Sequence, residues 1–178
     1  MKHQIAIIGS HSERLDKKLY KISSEIGSMI AKKGYILLTG GCTGIAESAA
    51  QGAKESGGIV IGFSPESHRT SFNKDLKYKN HDIIIFSGMG YKGRNLLMIR
   101  SCDAVIVING GMGTLDEVTI AEGEEKHIVV IEGTGGCADK LKKIFQDLNP
   151  GYKKVCYVCN AKSALNKIGK IIKNEPKI

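Results

Sequence analysis

The chain has 178 residues, 42% of them apolar and 25% charged, with a net charge of +8. That length fits one domain with a core of its own, and the composition is that of an ordinary folded soluble protein. No apolar run is long enough for a membrane span, and Ile5-Ala6-Ile7-Ile8 is too short for a secretory signal, so the expected location is the cytoplasm.

Strand and helix signals alternate from the start. Gln4–Ile8 is continuous in apolar residues, the pattern of a parallel strand covered on both faces. Leu15, Leu19, Ile22, Ile26, Met29 and Ile30 recur at helical spacing until Gly34 ends the helix. Tyr35–Thr39 is predicted as the second strand, Gly44–Ser56 as a helix of small residues and Ile59–Phe63 as the third strand. Ser64–His81 is the longest irregular stretch, polar and basic, and reads as a lid or an oligomer contact.

Beyond it the expected elements are a strand at Asp82–Phe86, a helix at Arg94–Ser101 and a strand at Ala104–Ile108. A helix at Leu115–Glu124 and a strand at Ile128–Ile131 follow. Leu141, Ile144, Phe145 and Leu148 mark another helix, Val155–Val158 a seventh strand, and Leu165, Ile168 and Ile172 the last helix. Such repeats imply right-handed crossovers and an α/β fold. Its sheet would be doubly wound, mostly parallel and Rossmann-like, with about seven strands and helices on both faces, in a single domain spanning residues 1–178.

Two distracting features have simple readings. Cys156-x-x-Cys159 lies on a predicted strand, where side chains three apart point to opposite faces, so no metal site is expected. The ten lysines between Lys140 and Lys177 come without arginine and with few aromatics, so they read as a solvated surface and not as a nucleic-acid interface.

Glycine follows the strands, at Gly9, Gly40-Gly41, Gly88 and Gly90, Gly110-Gly111 and Gly113, and again at Gly133, Gly135 and Gly136. Open α/β sheets bind ligands at the carboxyl ends of their strands, where strand order reverses. The usual order puts that crevice between the first and fourth strands, flanked by Gly9-Ser10 and Gly88-Met89-Gly90. Bare amides in such loops, backed by a helix start, attract phosphate, and Gly110-Gly111-Met112-Gly113-Thr114 meets both conditions. No loop ends in Gly-Lys-Ser/Thr, the first loop lacks the dinucleotide fingerprint, and Thr39-Gly40 stands where an NAD site has its acid.

The unbroken run from Arg94-Asn95 to Asn109-Gly110-Gly111-Met112-Gly113-Thr114-Leu115-Asp116-Glu117 resembles the LOG (Lonely Guy) family, as do Gly40-Gly41-x-x-Gly44 and Gly58–Gly62. The resemblance implies a Rossmann-like homo-oligomer that cleaves nucleoside 5′-monophosphates at the N-glycosidic bond and requires no cofactor. It makes Arg94 and Glu117 the catalytic pair and puts phosphate on Gly110, Gly111, Gly113 and Thr114. Gly9, Ser10, Gly40, Gly41, Gly88 and Asn95 complete the candidate ligand contacts, with His11 beside the first loop.

Asn95 replaces the lysine of those enzymes and Asn109 their proline, as in a sister branch that includes molybdenum-cofactor carrier proteins. The resemblance thus implies an AMP-like nucleotide or the molybdenum cofactor as the ligand, and a hydrolase or a carrier as the function. Thr114-x-x-Glu117 also reads as a capping box, with Asp116 solvated beside it.

Overall fold

The computed structural model describes residues 1–68 and 78–174. In chain order the elements are β1 (Gln4–Gly9), α1 (Lys17–Lys32), β2 (Ile36–Thr39), α2 (Ile45–Glu55), β3 (Ile59–Ser64), β4 (Ile83–Phe86), α3 (Gly90–Arg100), β5 (Ala104–Ile108), α4 (Met112–Gly123), β6 (His127–Ile131), α5 (Gly136–Leu148), β7 (Val155–Val158) and α6 (Ala161–Asn174). The seven strands pair in parallel as β4-β3-β2-β1-β5-β6-β7, a Rossmann-like α/β fold.

The central strands are apolar throughout because both of their faces are covered. Ile5 and Ile7 of β1 join Ile106 and Ile108 of β5 in a core under α1, α2 and α6. The alternate residues Ala6, Ile8, Val105 and Val107 face α3, α4 and α5. Edge strand β4 is different, with Ile83 52% and Ile85 40% exposed, so its apolar run in the sequence does not signal two-sided burial.

Close contact between α1 and α2 depends on two glycines. A Cβ on Gly27 would strike the Ala49 carbonyl, and one on Gly52 the Ser24 carbonyl. Ser23 donates to the Ile45 carbonyl at 2.6 Å, which fixes the start of α2 at the carboxyl end of β2.

Strand order departs from the expected pattern at one decisive place. β4 extends the sheet outward from β3, and the chain reverses only afterwards, when α3 carries it back to lay β5 beside β1. The reversal therefore lies between β1 and β5, and Gly88 sits away from it, donating to the Glu66 carbonyl at 2.9 Å. Nothing in the apolar pattern of a strand encodes which neighbour it will pair with, so this order was not readable from the chain.

Two helices begin earlier than the periodicity predicts: α3 at Gly90 instead of Arg94, and α4 at Met112 instead of Leu115. Their first turns carry glycine and exposed residues, with Met112 79% and Tyr91 51% exposed, and so supply no core-facing stripe. Ser64 belongs to β3, and half of the predicted lid or oligomer contact, residues 69–77, lies outside the described residues.

Candidate functional site

A cavity of about 570 Å³ opens at the carboxyl ends of β1, β2 and β5, within the size range of small-ligand sites. Its floor is Gly9 and Ser10, with His11 beside them. Gly40 contributes from the end of β2, while Cys42, Thr43 and Ala46 contribute from the start of α2. Opposite stand Lys92, Arg94 and Asn95 of α3 and the stretch from Gly110 to Thr114, with Glu117 behind. Gly41 does not line the cavity, because its own Cβ position is turned towards Tyr78.

The turn after β5 is locked by its neighbours. Asn109 has φ of 54°, a left-handed conformation that asparagine tolerates better than most residues. Its N–H donates to Thr134 Oγ1 at 2.9 Å, its Nδ2 donates to the Thr134 carbonyl at 2.7 Å, and its Oδ1 accepts from the Gly110 N–H at 2.6 Å. Cys137 and Ala138 at the start of α5 donate to the carbonyls of Gly110 and Asn109. Gly110, at φ of 99°, leaves no room for a Cβ beside the Thr134-anchored turn because the Thr114 side chain fills that space.

Proline at position 109 could satisfy none of this, since its φ is fixed near −65° and it has no N–H to donate. Asn109→Pro is expected to destabilise the protein by at least about 3 kcal/mol, read as a lowered denaturant midpoint in chemical unfolding. Thr134, which also donates to the Ile131 carbonyl at 2.7 Å, was not singled out from the sequence. A lone buried threonine carries no signal of its own.

Gly111 is the N-cap of α4 and brings no side-chain cap. The helix's first bond runs from the Leu115 N–H to the Gly111 carbonyl, so the N–H groups of Met112, Gly113 and Thr114 precede it and meet the cavity at the positive end of the helix. Thr114 lies within the first turn and is not the cap, so the capping-box reading of Thr114 and Glu117 does not hold. With glycine capping the helix, Glu117 has no return role and points to the cavity wall.

Arg94 and Glu117 are brought together there, 5% and 8% exposed. Arg94 Nη1 donates to the Phe63 carbonyl at 3.1 Å, and the guanidinium lies against Gly40, where a Cβ would collide with it. Burial pushes the Glu117 carboxyl up to about 7, against the opposing pull of Arg94 and with a further push from Asp116. A carboxyl poised there can hold or release a proton near neutral pH.

Asp116 is not simply solvated. Its Oδ1 lies 2.9 Å from Lys92 Nζ, and its Oδ2 accepts from Asn95 Nδ2 at 2.7 Å. This commits the Asn95 amide, whose Oδ1 is buried without a partner among the described residues, as is Arg94 Nε. Lys92 and Cys42 are site residues that the sequence reading passed over. Lys92 lies in the first turn of α3, which has no apolar periodicity, and Cys42 has no spacing signal.

Elsewhere, Cys156 is half-buried on β7 and Cys159 is exposed just after it. Among the described residues there is no group of three His, Cys, Asp or Glu side chains placed to hold a metal, and no helix is long and apolar enough to cross a membrane.

Comparison with known proteins places these features in context. A model of the SLOG cluster4 family matches residues 2–165. An uncharacterised protein of Archaeoglobus fulgidus is 39% identical over 136 residues, 73% of this chain and 84% of that one. A cytokinin riboside 5′-monophosphate phosphoribohydrolase of Mycobacterium tuberculosis is 32% identical over 102 residues, 57% of this chain, which spans only 52% of that enzyme. Among solved structures, the molybdenum cofactor carrier protein of Chlamydomonas reinhardtii superposes with a TM-score of 0.82 at 27% identity, covering 98% of this chain and 100% of its own.

Proposed function

The chain belongs to the SLOG cluster4 family, and from that premise we propose that its cavity binds a phosphorylated, nucleoside-like ligand and that Arg94 and Glu117 cleave the N-glycosidic bond. The observation that carries the reading is a buried carboxyl of near-neutral pKa beside a buried guanidinium, both lining the cavity with the open N-terminus of α4. Each part has a task. The N–H groups of Met112, Gly113 and Thr114 receive the 5′-phosphate, since their partial positive charge needs no desolvated counter-ion.

With the phosphate fixed there, the ribose extends towards Glu117. Cleavage develops positive charge on the sugar, which the Glu117 carboxylate stabilises while it orients the attacking water. Arg94, held by Phe63 and by the bare Gly40 backbone, keeps enough of Glu117 ionised for that role and orients its carboxylate. The 32% identity to a phosphoribohydrolase supports this assignment.

A second reading, retention of a nucleotide or of the molybdenum cofactor without turnover, is favoured by Asn95. Its amide is tied to Asp116, so α3 offers no cation at that position, and the likeness to a molybdenum cofactor carrier points the same way. Incubating purified protein with AMP and quantifying adenine and ribose 5-phosphate by chromatography separates the two. Hydrolysis predicts equimolar release. AMP binding by calorimetry with no adenine formed, even at high protein concentration, leaves the carrier reading standing and removes the hydrolase.

A further inference from the structure

We propose that α1 and α6 together form a docking face for duplex nucleic acid, held by its phosphate backbone without regard to base sequence. The inference is independent of the cavity and of the ligand bound there.

The two helices are distant in the chain and neighbours in the fold, where they pack against each other. Leu19, Ile26 and Ile30 of α1 and Leu165, Ile168 and Ile172 of α6 are buried in one core on the same side of the sheet. What the pair leaves outside is basic. Lys17, Lys18, Lys21, Lys32 and the C-cap Lys33 are exposed along α1. Lys162, Lys167, Lys170 and Lys173 are exposed along α6, which carries no acidic residue. Nine lysines thus stand against two carboxylates, the N-cap Asp16 and Glu25, a net of +7 in a chain whose total is +8. The remainder of the chain is close to neutral, so its attraction for anions is concentrated on this one face.

Elsewhere basic side chains are answered. Lys54 pairs with Asp82, Lys92 with Asp116, Arg100 with Glu124 and Lys143 with Asp147. None of the nine lysines makes an ion pair among the described residues. Their spacing works against the helices instead. Lys17 and Lys21 are four apart, while Lys18 and Lys21, and Lys170 with both Lys167 and Lys173, are three apart, separations at which like charges repel. A polyanion laid across the face relieves that repulsion and is drawn by both helices at once.

The form of the face selects the partner. At 1.5 Å per residue α1 is roughly 24 Å long and α6 roughly 21 Å, about two-thirds of a turn of duplex. Lysine meets phosphate as a point charge and reads no base edge, hence the indifference to sequence. Neither helix exposes a large apolar or aromatic side chain. A helix lying in a lipid surface buries an apolar face there, and single strands are held by stacking on aromatics, so both are poorer partners. In the sequence the late lysines read as solvated surface; the fold adds a second row from α1.

The test is fluorescence anisotropy of a labelled, mixed-sequence duplex DNA of about two helical turns, titrated with the full chain. With at least about four lysines on phosphates, affinity is expected to fall more than about 100-fold between roughly 50 and 200 mM salt. A duplex of unrelated sequence should bind equally. The variant Lys162→Gln, Lys167→Gln, Lys170→Gln, Lys173→Gln should bind at least about tenfold more weakly at low salt and with a shallower salt dependence. Lys17→Gln with Lys18→Gln and Lys21→Gln should do the same from α1. Glutamine is as good a helix former as lysine, so the thermal midpoint should not fall. Changing Lys140, Lys142, Lys143 and Lys153 to Gln removes as much charge from α5 and the turn after it, and should alter affinity by less than about threefold.

Equal weakening by that last variant shows attraction to net charge alone and overturns the proposal. So does tighter binding of the single strand than of the duplex. Absence of duplex binding at low salt overturns it too, as does sedimentation with phosphatidylserine vesicles by protein that ignores DNA.

Discussion

Glu117→Gln is expected to make the protein more stable at neutral pH while removing turnover. Glu117 ionises near 4.5 in the unfolded chain but holds its proton to about 7 in the folded one, because burial penalises the charge more than Arg94 repays it. Between those values the folded state binds the additional proton, so the Glu117 contribution to stability is intact below 4.5 and is lost as pH rises to about 7. Glutamine never ionises and escapes that loss. From pH 4.5 to pH 8 the stability difference should shift in favour of the variant by about 3 kcal/mol, measured by urea unfolding at each pH. Flat pH dependence of that difference would show that Glu117 is not held protonated by burial.

The same substitution should lower adenine release from AMP by roughly 10²–10⁴-fold, the usual contribution of a positioned acid–base group. In the unsubstituted protein turnover should rise through pH 7, as Glu117 becomes the carboxylate that stabilises positive charge on the ribose. A residue that costs stability where it is ionised, yet is needed ionised for chemistry, has the signature of a functional group and not of a packing one. Unchanged turnover in Glu117→Gln would remove it from the reaction.

Gly113→Asp is expected to separate binding from folding at the start of the same helix. A Cβ at Gly113 meets nothing within 4 Å, and the position lies in the first turn of α4. An aspartate there complements the positive helix end and replaces a poor helix former, for a gain of about 0.5–1 kcal/mol. It also puts a carboxylate where the phosphate is to sit. At roughly 4 Å and an effective dielectric near 20, each pair of like unit charges costs about 4 kcal/mol, so AMP affinity should fall by more than about 100-fold. Calorimetry and thermal unfolding on one preparation check both halves. Undiminished AMP binding would mean that the phosphate is held elsewhere.

Much of the architecture was legible because burial on two faces leaves a continuous apolar run, and β1, β5 and β6 are such runs. The starts of α3 and α4 were not legible, since their first turns face the cavity and carry Gly90, Tyr91, Met112 and Gly113 where a core-facing turn would carry leucine or isoleucine. Site residues followed the same division. Glu117 and Arg94 stood out by motif, whereas Lys92, Cys42 and Thr134 acquire meaning only from neighbours contributed by other elements.

By itself the sequence determined the alternation of strand and helix, the parallel sheet, and the glycine-rich turn after β5, because each is set by local periodicity or by backbone freedom at single residues. Tertiary structure decided which strands became neighbours. Pairing β5 with β1 put the starts of α2 and α4 around one cavity, sent Gly88 outward, and buried Arg94 beside Glu117. The physical reason is that pairing and burial are properties of segments far apart in the chain. A carboxyl group's proton affinity and an amide's vacancy for a ligand are fixed by whatever those distant segments place around them.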